Sequence, residues 1–354
     1  MKVALAGGGT AGHIEPAMNV ADALVARGVD VVAIGTERGL EQKLVPERGY
    51  RLRDIPPIPM PRSLSVDLLT LPYRVLGSVR QASAILLQER ADVVVGFGGY
   101  VSLSAYLGAR RIGVPVVVHE ANARPGLANR IGALLAAAVF DTVPGSLRGA
   151  RTVGIPVRGN LRNLDKAALR PDALSYFGLN ADRPTLLVFG GSQGARRLND
   201  MVVAFAADLI AEGWQVLHAV GIKNEDQRVL DLPHYVCLPY IDRMDLAYAI
   251  ADAAVTRAGA LTVAELGVVG LPAIYVPLPI GNGEQRLNAA AMVAAGGGMV
   301  IDDATCTPER LIEVFQPWRD ADARARASAA ARQAGSGDAA ATIADTIMSL
   351  GTSR

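Results

Sequence analysis

Twice in this chain, about half its length apart, a short Val/Leu/Ala run breaks into a GGxxG loop and then into helix-forming sequence. The first copy is Lys2–Ala6 running into Gly8-Gly9-Thr10-Ala11-Gly12; the second is Thr185–Phe189 running into Gly190-Gly191-Ser192-Gln193-Gly194. A buried strand that feeds glycines and then a helix is the opening unit of a doubly wound parallel sheet. Two such units predict two similar α/β domains in tandem. A length of 354 residues fits this, because one hydrophobic core stops growing near ~250–300 residues.

The remaining sequence keeps the same rhythm. Asp30–Gly35, Asp92–Val95, Val114–His119 and Val139–Thr142 read as further buried strands of the first half, with helices over Ala17–Ala26 and Ala128–Ala137. Gln215–Val220, Tyr235–Leu238, Ala253–Thr256 and Pro272–Val276 do so in the second, among helices over Asn199–Ala211, Arg243–Ile250, Ala260–Val269 and Gln285–Ala295. Gly154, Pro156 and Gly159 place a hinge near Pro156–Asn160. The expected domains are therefore 1–157 and 158–337, with a last helix over Asp338–Leu350 that could pack on either.

Composition removes several classes. At 51% hydrophobic and 19% charged residues the chain is neither disordered nor a coiled coil. With 35 Lys plus Arg against 34 Asp plus Glu, no overall charge favours nucleic acid. The mean hydropathy of +0.26 invites a membrane reading. A span needs roughly 18–20 apolar residues, however, and the long uncharged runs Val93–Ala109 and Leu266–Gly283 are interrupted by glycines or prolines. The apolar start before Gly7 is too short for a signal segment, which predicts a cytoplasmic chain. Cys237 and Cys306 are isolated from other ligand-type residues and read as buried thiols.

Arg51–Arg80 departs from the α/β rhythm, with five prolines, five arginines and two aspartates around Leu64, Val66, Leu68, Leu69, Leu71, Val75 and Leu76. It reads either as a Pro-rich loop followed by a core helix, or as an apolar patch rimmed by Arg53, Arg62, Arg74 and Arg80 that rests on an anionic bilayer.

Several loops carry chemistry. Gly7-Gly8-Gly9-Thr10-Ala11-Gly12 satisfies GxGxxG, and Glu37 could hold a ribose, so a nicotinamide-dependent dehydrogenase has to be weighed. His13, immediately after that loop, turns the reading toward proton transfer: the positive end of a helix favours a neutral imidazole, which suits a general base. Gly96-Phe97-Gly98-Gly99-Tyr100 and His119-Glu120-Ala121-Asn122 follow strands on the edge where such sheets bind ligands. His218, inside a strand, and His234, beside Pro233, read as structural. In the second half, Gly259 before Ala260–Glu265 offers free N–H groups to a phosphate, and Glu265 can reach a sugar diol. The loop Pro277–Gln285 has the polarity to touch hydroxyls. Asp320-Ala321-Asp322 is formally DxD, but it lies in an Ala/Arg-rich helix away from the glycine loops, and no metal site is expected.

Together GGGTAGHIEPA (7–17), GFGGYVSLSAY (96–106), HEANARPGLANR (119–130), GGSQGARRLN (190–199) and RAGALTVAELGVVGLPAIYVPLPIGNGEQRLNA (257–289) closely resemble the MurG family. These are UDP-N-acetylglucosamine transferases acting on undecaprenyl-pyrophosphoryl-N-acetylmuramoyl-pentapeptide, and the Ala/Arg/Val usage resembles an actinobacterial member. The resemblance implies a glycosyltransferase B fold, two Rossmann-like domains with parallel sheets facing across a cleft, and an inverting transfer without cofactor or essential metal. It implies UDP-N-acetylglucosamine on the C-terminal domain and the lipid-linked acceptor on the N-terminal one. The location implied is peripheral, on the cytoplasmic face of the cell membrane against its anionic inner leaflet, with other wall-synthesis proteins as further partners.

By motif position, the resemblance makes His13 the base and Thr10, Ala11 and Gly12 the lining of the sugar side, with Asn122 and Arg158 in the donor set. Ser192 falls on the diphosphate, and Ile241 on uracil through its backbone. Ala260, Leu261, Thr262, Val263, Ala264 and Glu265 fall on the nucleotide, with Glu265 on the ribose, and Gln285 on the N-acetylglucosamine hydroxyls. Leu64, Leu68, Leu71, Arg62 and Arg74 would form the membrane patch. The chain departs from the usual family pattern at Ala11, Ala121 and Ala258, where glycine, glutamine and serine are commoner. Transfer to a soluble aglycone and nucleotide-sugar epimerisation are alternatives on the same fold.

Overall fold

The computed structural model describes residues 1–57, 67–191, 194–227, 232–279, 283–335 and 337–351, with the side chains of 67–70 and 225–227 left out. The chain divides into two compact units, Met1–Val157 with Asp338–Arg354, and Arg158–Gly337.

The first unit is built on a seven-stranded sheet of β1 (Lys2–Ala6), β2 (Asp30–Gly35), β3 (Arg51–Asp54), β4 (Val93–Gly96), β5 (Val116–Glu120), β6 (Ala138–Asp141) and β7 (Arg151–Thr152). The order is β3-β2-β1-β4-β5-β6-β7 and every pairing is parallel. The second has six parallel strands, β8 (Thr185–Phe189), β9 (Gln215–Ala219), β10 (Tyr235–Leu238), β11 (Ala253–Thr256), β12 (Ala273–Tyr275) and β13 (Gly298–Val300), in the order β10-β9-β8-β11-β12-β13. Each is an open parallel sheet of the doubly wound type. Helices cover both faces of such a sheet, which is why β1, β4 and β8 are continuous Val/Leu/Ala runs, buried along nearly their whole length. In each unit the winding reverses beside the first strand, between β1 and β4 and between β8 and β11. Open α/β sheets bind ligands outside the carboxyl ends of their strands at such a reversal.

The last helix, Ala339–Gly351, belongs to the first unit: Ile343, Ala344 and Ile347 are buried against Ile14, Val20 and Leu24 of the helix Ala11–Val25 and its core. That first helix begins six residues before the expected Ala17. Pro16, the sixth residue of that helix, lacks the N–H that would bond the Gly12 carbonyl, and the helix runs through it. The helix expected over Gln285–Ala295 divides at Ala289 into Glu284–Asn288 and Ala290–Ala294.

Within Arg51–Arg80 the described residues form two elements, and the second agrees with the reading of a loop followed by a core helix. The segment opens as edge strand β3 and closes inside the helix Asp67–Glu89, whose inner face buries Val79, Ala82, Ile85 and Leu86. Arg53, expected on a membrane rim, instead pairs with Glu89 at 3.6 Å. Arg62 and Leu64 lie outside the described residues, and Leu68 lies on the helix without a described side chain. Leu71 is half-buried and Arg74 exposed.

Candidate active site

In the first unit the loops after β1 and β4 meet at His13. Thr10 is the extended N-cap residue of the helix Ala11–Val25, so His13 stands in its first turn. Nδ1 lies 3.1 Å from the Gly8 carbonyl oxygen. A carbonyl only accepts, so Nδ1 carries the proton and Nε2 keeps its lone pair in the neutral ring. Gly98 and Gly99 press against this imidazole: a Cβ on Gly98 would stand 3.0 Å from Nε2, and both glycines have positive φ, +110° and +79°. The buried Ser102 hydroxyl accepts the Gly98 N–H at 3.0 Å and fixes that loop. Thr10 and Gly12 are exposed beside His13, and Ala11 is half-buried.

Glu120 organises the neighbouring loop. Its buried carboxylate accepts the Asn122 N–H at 2.9 Å, the Asn122 Nδ2 at 3.3 Å, the Gly126 N–H at 3.2 Å and the Asn129 Nδ2 at 2.9 Å. Tyr106 donates its hydroxyl to Asn129 at 2.8 Å. Asn122 is thus held by a carboxylate that the sequence motif contained without revealing its task. A second buried carboxylate, Glu41, accepts the Gly9 N–H at 3.2 Å. An anion already occupies the donor that a dinucleotide pyrophosphate would use, and Glu37, the expected ribose acid, is exposed. Both observations weigh against the dehydrogenase alternative.

In the second unit the helix Ala260–Val269 starts directly after β11, with Gly259 as N-cap and no side chain capping it. Its first N–H groups are therefore available to an anion. Leu261, Thr262, Ala264 and Glu265 are half-buried while Val263 is buried. Tyr248, fully buried, donates its hydroxyl to Glu265 Oε2 at 2.9 Å. Burial and the adjacent Glu265 charge push the Tyr248 phenol well above its ordinary value, so it remains a donor. Arg158 is close enough to act electrostatically on Tyr248. Gln285 accepts the Leu278 N–H at 2.9 Å, which ties the helix Glu284–Asn288 to the strand-end loop. Ile241 anchors the segment after β10 with a buried side chain.

Arg257, at the end of β11, is buried and contacts the Val276 carbonyl at 3.1 Å and Asp303 at 2.5 Å. The sequence reading gave no role to Tyr248 or Asp303, because their partners lie 17 and 46 residues away. Ser192 and Gln193 are outside the described residues. Asp320 of the formal DxD caps its own helix by accepting the Ala323 N–H at 2.7 Å. Among the described residues no three His, Cys, Asp or Glu side chains gather as metal ligands.

Two histidines are structural. His119 donates from Nε2 to the Gly154 carbonyl at 2.8 Å, and His218 lies between Tyr235 at 2.6 Å and Asn199 at 3.1 Å. Burial lowers each from the ordinary 6.5 to about 4. The unfolded chain therefore binds more protons between pH 6.5 and 4, so stability is full above this window and falls as pH drops through it. Between pH 7 and pH 5 the expected loss is about 2 kcal/mol per histidine. Urea unfolding at the two pH values checks this; an unchanged midpoint would refute it.

Comparison with known proteins follows the same division. The glycosyltransferase family 28 N-terminal domain matches residues 3–141, and the family 28 C-terminal domain matches residues 185–346. The UDP-N-acetylglucosamine--N-acetylmuramyl-(pentapeptide) pyrophosphoryl-undecaprenol N-acetylglucosamine transferase of Streptomyces avermitilis is 60% identical over 315 residues, 87% of each chain. The enzyme of the same name from Mycolicibacterium smegmatis is 55% identical over 366 aligned positions, 99% of this chain and 94% of its own. The crystal structure of Acinetobacter baumannii MurG superposes with a TM-score of 0.80 at 28% identity, covering 98% of this chain and 99% of that one. With both domain types matched in order and such identity across nearly its whole length, the chain belongs to glycosyltransferase family 28, among the MurG transferases.

Proposed function

We propose that the protein transfers N-acetylglucosamine from UDP-N-acetylglucosamine to the muramoyl hydroxyl of undecaprenyl-pyrophosphoryl-N-acetylmuramoyl-pentapeptide, converting lipid I to lipid II in peptidoglycan synthesis. The observation that carries this reading is 55–60% identity to transferases of that name over 87–99% of the chain. Incubation with radiolabelled UDP-N-acetylglucosamine and a lipid-linked muramoyl acceptor tests it: label should appear in the lipid fraction. Hydrolysis or epimerisation of the donor without transfer would overturn it.

His13 takes the proton of the acceptor hydroxyl at Nε2 as that oxygen attacks the anomeric carbon, and the bond from that carbon to UDP breaks with inversion. Thr10, Ala11, Gly12 and Asn122 line the sugar on the first unit. On the second, the uncapped N–H groups of the Ala260–Val269 helix and the loop containing Ser192 meet the diphosphate. Glu265 accepts the ribose hydroxyls, Ile241 presents main chain to uracil, and Gln285 reaches the sugar hydroxyls. Arg158 adds positive charge beside Glu265. Because Ala258 supplies no hydroxyl, backbone N–H groups carry more of the phosphate contact.

Among the described residues no helix is long and apolar enough to cross a membrane. The helix Asp67–Glu89 supports a peripheral contact. Tyr73 is 79% exposed and Leu76 41% exposed, beside a groove of about 620 Å³ lined by Leu71, Pro72, Val75, Leu76, Val79 and Leu107. Arg74 and Arg80 are exposed on the same helix. Each cation near an anionic surface adds about 1 kcal/mol. The protein should float with anionic vesicles and largely detach on Tyr73→Glu with Leu76→Glu; equal flotation of wild type and double variant would remove this segment from the contact.

A further inference from the structure

The buried carboxylate of Glu41 has no obvious task in the scheme above. It comes from the start of the helix Glu41–Glu47, follows the turn Gly35-Thr36-Glu37-Arg38-Gly39, and is 0% exposed. Space for the side chain is made by glycines: a Cβ on Gly39 would stand 2.0 Å from Oε2, one on Gly8 2.9 Å from Oε1, and one on Gly35 2.6 Å from Cγ. Oε1 accepts the Thr36 N–H at 3.0 Å and the Thr36 hydroxyl at 2.9 Å, and Oε2 accepts the Gly9 N–H at 3.2 Å. Both oxygens act only as acceptors, as an ionised carboxylate does. Among the described residues it forms no ion pair. A buried anion without a cation is costly to keep.

The third of those contacts leads to His13. The Gly9 N–H and the Gly8 C=O are two ends of one planar, trans peptide unit, so they point in opposite directions. The carboxylate takes the N–H end. The carbonyl end lies 3.1 Å from His13 Nδ1. A negative charge on the N–H side polarises the amide and strengthens its oxygen as an acceptor, since hydrogen bonds in series reinforce one another. The sequence of groups is carboxylate, peptide, imidazole, with the peptide in the place where a carboxylate directly orients a ring in other histidine sites.

We propose that Glu41 is a positioning residue which, through the Gly8–Gly9 peptide, holds His13 in its Nδ1–H tautomer with Nε2 unprotonated. The catalytic consequence rests on His13 being the base; the tautomer itself does not. When Nε2 accepts a proton, the ring becomes a cation whose Nδ1–H points at a carbonyl already polarised by Glu41, so the device also stabilises the charge that forms. Thr10 Oγ1, 3.4 Å from Nδ1, is the weaker of the two partners by distance.

Ring ¹⁵N spectra of the full-length protein labelled at histidine test this directly, because there are only four histidines to assign. Wild type should show His13 with a protonated Nδ1 and a bare Nε2. A wild-type spectrum with the proton on Nε2 overturns the proposal without any variant. In folded Glu41→Gln, whose amide group must place a donor against one of the three donors, the His13 signal should move toward a mixture of tautomers. Turnover should fall about 10-fold, the usual loss for such an orienting partner, with KM for UDP-N-acetylglucosamine unchanged. Glu41→Asp, charged but shorter, should recover part of both. An unchanged tautomer in Glu41→Gln overturns the proposal even if turnover falls. A changed tautomer with unchanged turnover supports the positioning and sinks the base role of His13.

Discussion

His13→Ala should lower kcat by about 10²–10⁴-fold, the range for removing a positioned general base. The ring stands in the first turn of its helix, its Nδ1 is committed to the Gly8 carbonyl and its remaining nitrogen faces Gly98, where a Cβ would come within 3.0 Å. That surrounding leaves one nitrogen with a lone pair and a neighbour too small to cover it. UDP affinity should be nearly unchanged, because the nucleotide contacts are assigned to the second unit. Steady-state turnover with calorimetric UDP titration separates the two quantities. If the variant turned over at the wild-type rate, His13 would not be the base; if UDP affinity fell in parallel with kcat, the substitution would be acting on binding.

Glu265→Ala should instead weaken UDP binding by about 10–100-fold. Hydrogen bonds to a charged group contribute about 1.5–3 kcal/mol, and the proposed role has this carboxylate accept from the ribose diol. Its orientation is set from below by Tyr248, which holds Oε2 at 2.9 Å. Removing the carboxylate also leaves the buried Tyr248 hydroxyl without its acceptor, so a modest loss of stability accompanies the loss of affinity. Tyr248→Phe, which leaves the carboxylate but removes one of its partners, should cost only a few-fold in UDP affinity. Calorimetry on the two variants gives the order wild type, Tyr248→Phe, Glu265→Ala; equal affinity for UDP in wild type and Glu265→Ala would take Glu265 out of the nucleotide site.

Several elements were legible before any coordinates. Strands β1, β2, β8, β10 and β11 fall on the residues expected, as does the helix Ala260–Val269. All are short apolar runs or Ala/Leu-rich stretches bounded by glycine or polar residues, so local composition and burial agree. Edge strands β3 and β7 were missed because an edge needs no apolar run: Arg51-Leu52-Arg53-Asp54 is held by pairing to β2, and its arginines reach Glu89. The helix Lys166–Phe177, absent from the elements expected, starts from an Asp165 cap that accepts the Ala168 N–H at 3.0 Å.

For the candidate site the division is similar. Glycine loops and His13 announce themselves because their spacing after a strand is local. The tasks of Glu41 and Tyr248 do not, because each depends on a partner brought near by folding: Gly9 is 32 residues from Glu41, and Glu265 is 17 from Tyr248.

What the sequence by itself determined is the two-unit parallel architecture, the position of the glycine loops on the strand ends, and the transferase family. Hydrophobic period and glycine spacing are properties of a chain segment and survive without tertiary contacts. Only the tertiary structure decided which groups orient the reacting ones. The carboxylate behind the Gly8–Gly9 peptide and the tyrosine behind Glu265 are both placed by hydrogen bonds between segments that no local rule connects. A buried donor or acceptor that loses such a partner costs about 1–3 kcal/mol, so these pairings hold the site's groups in place.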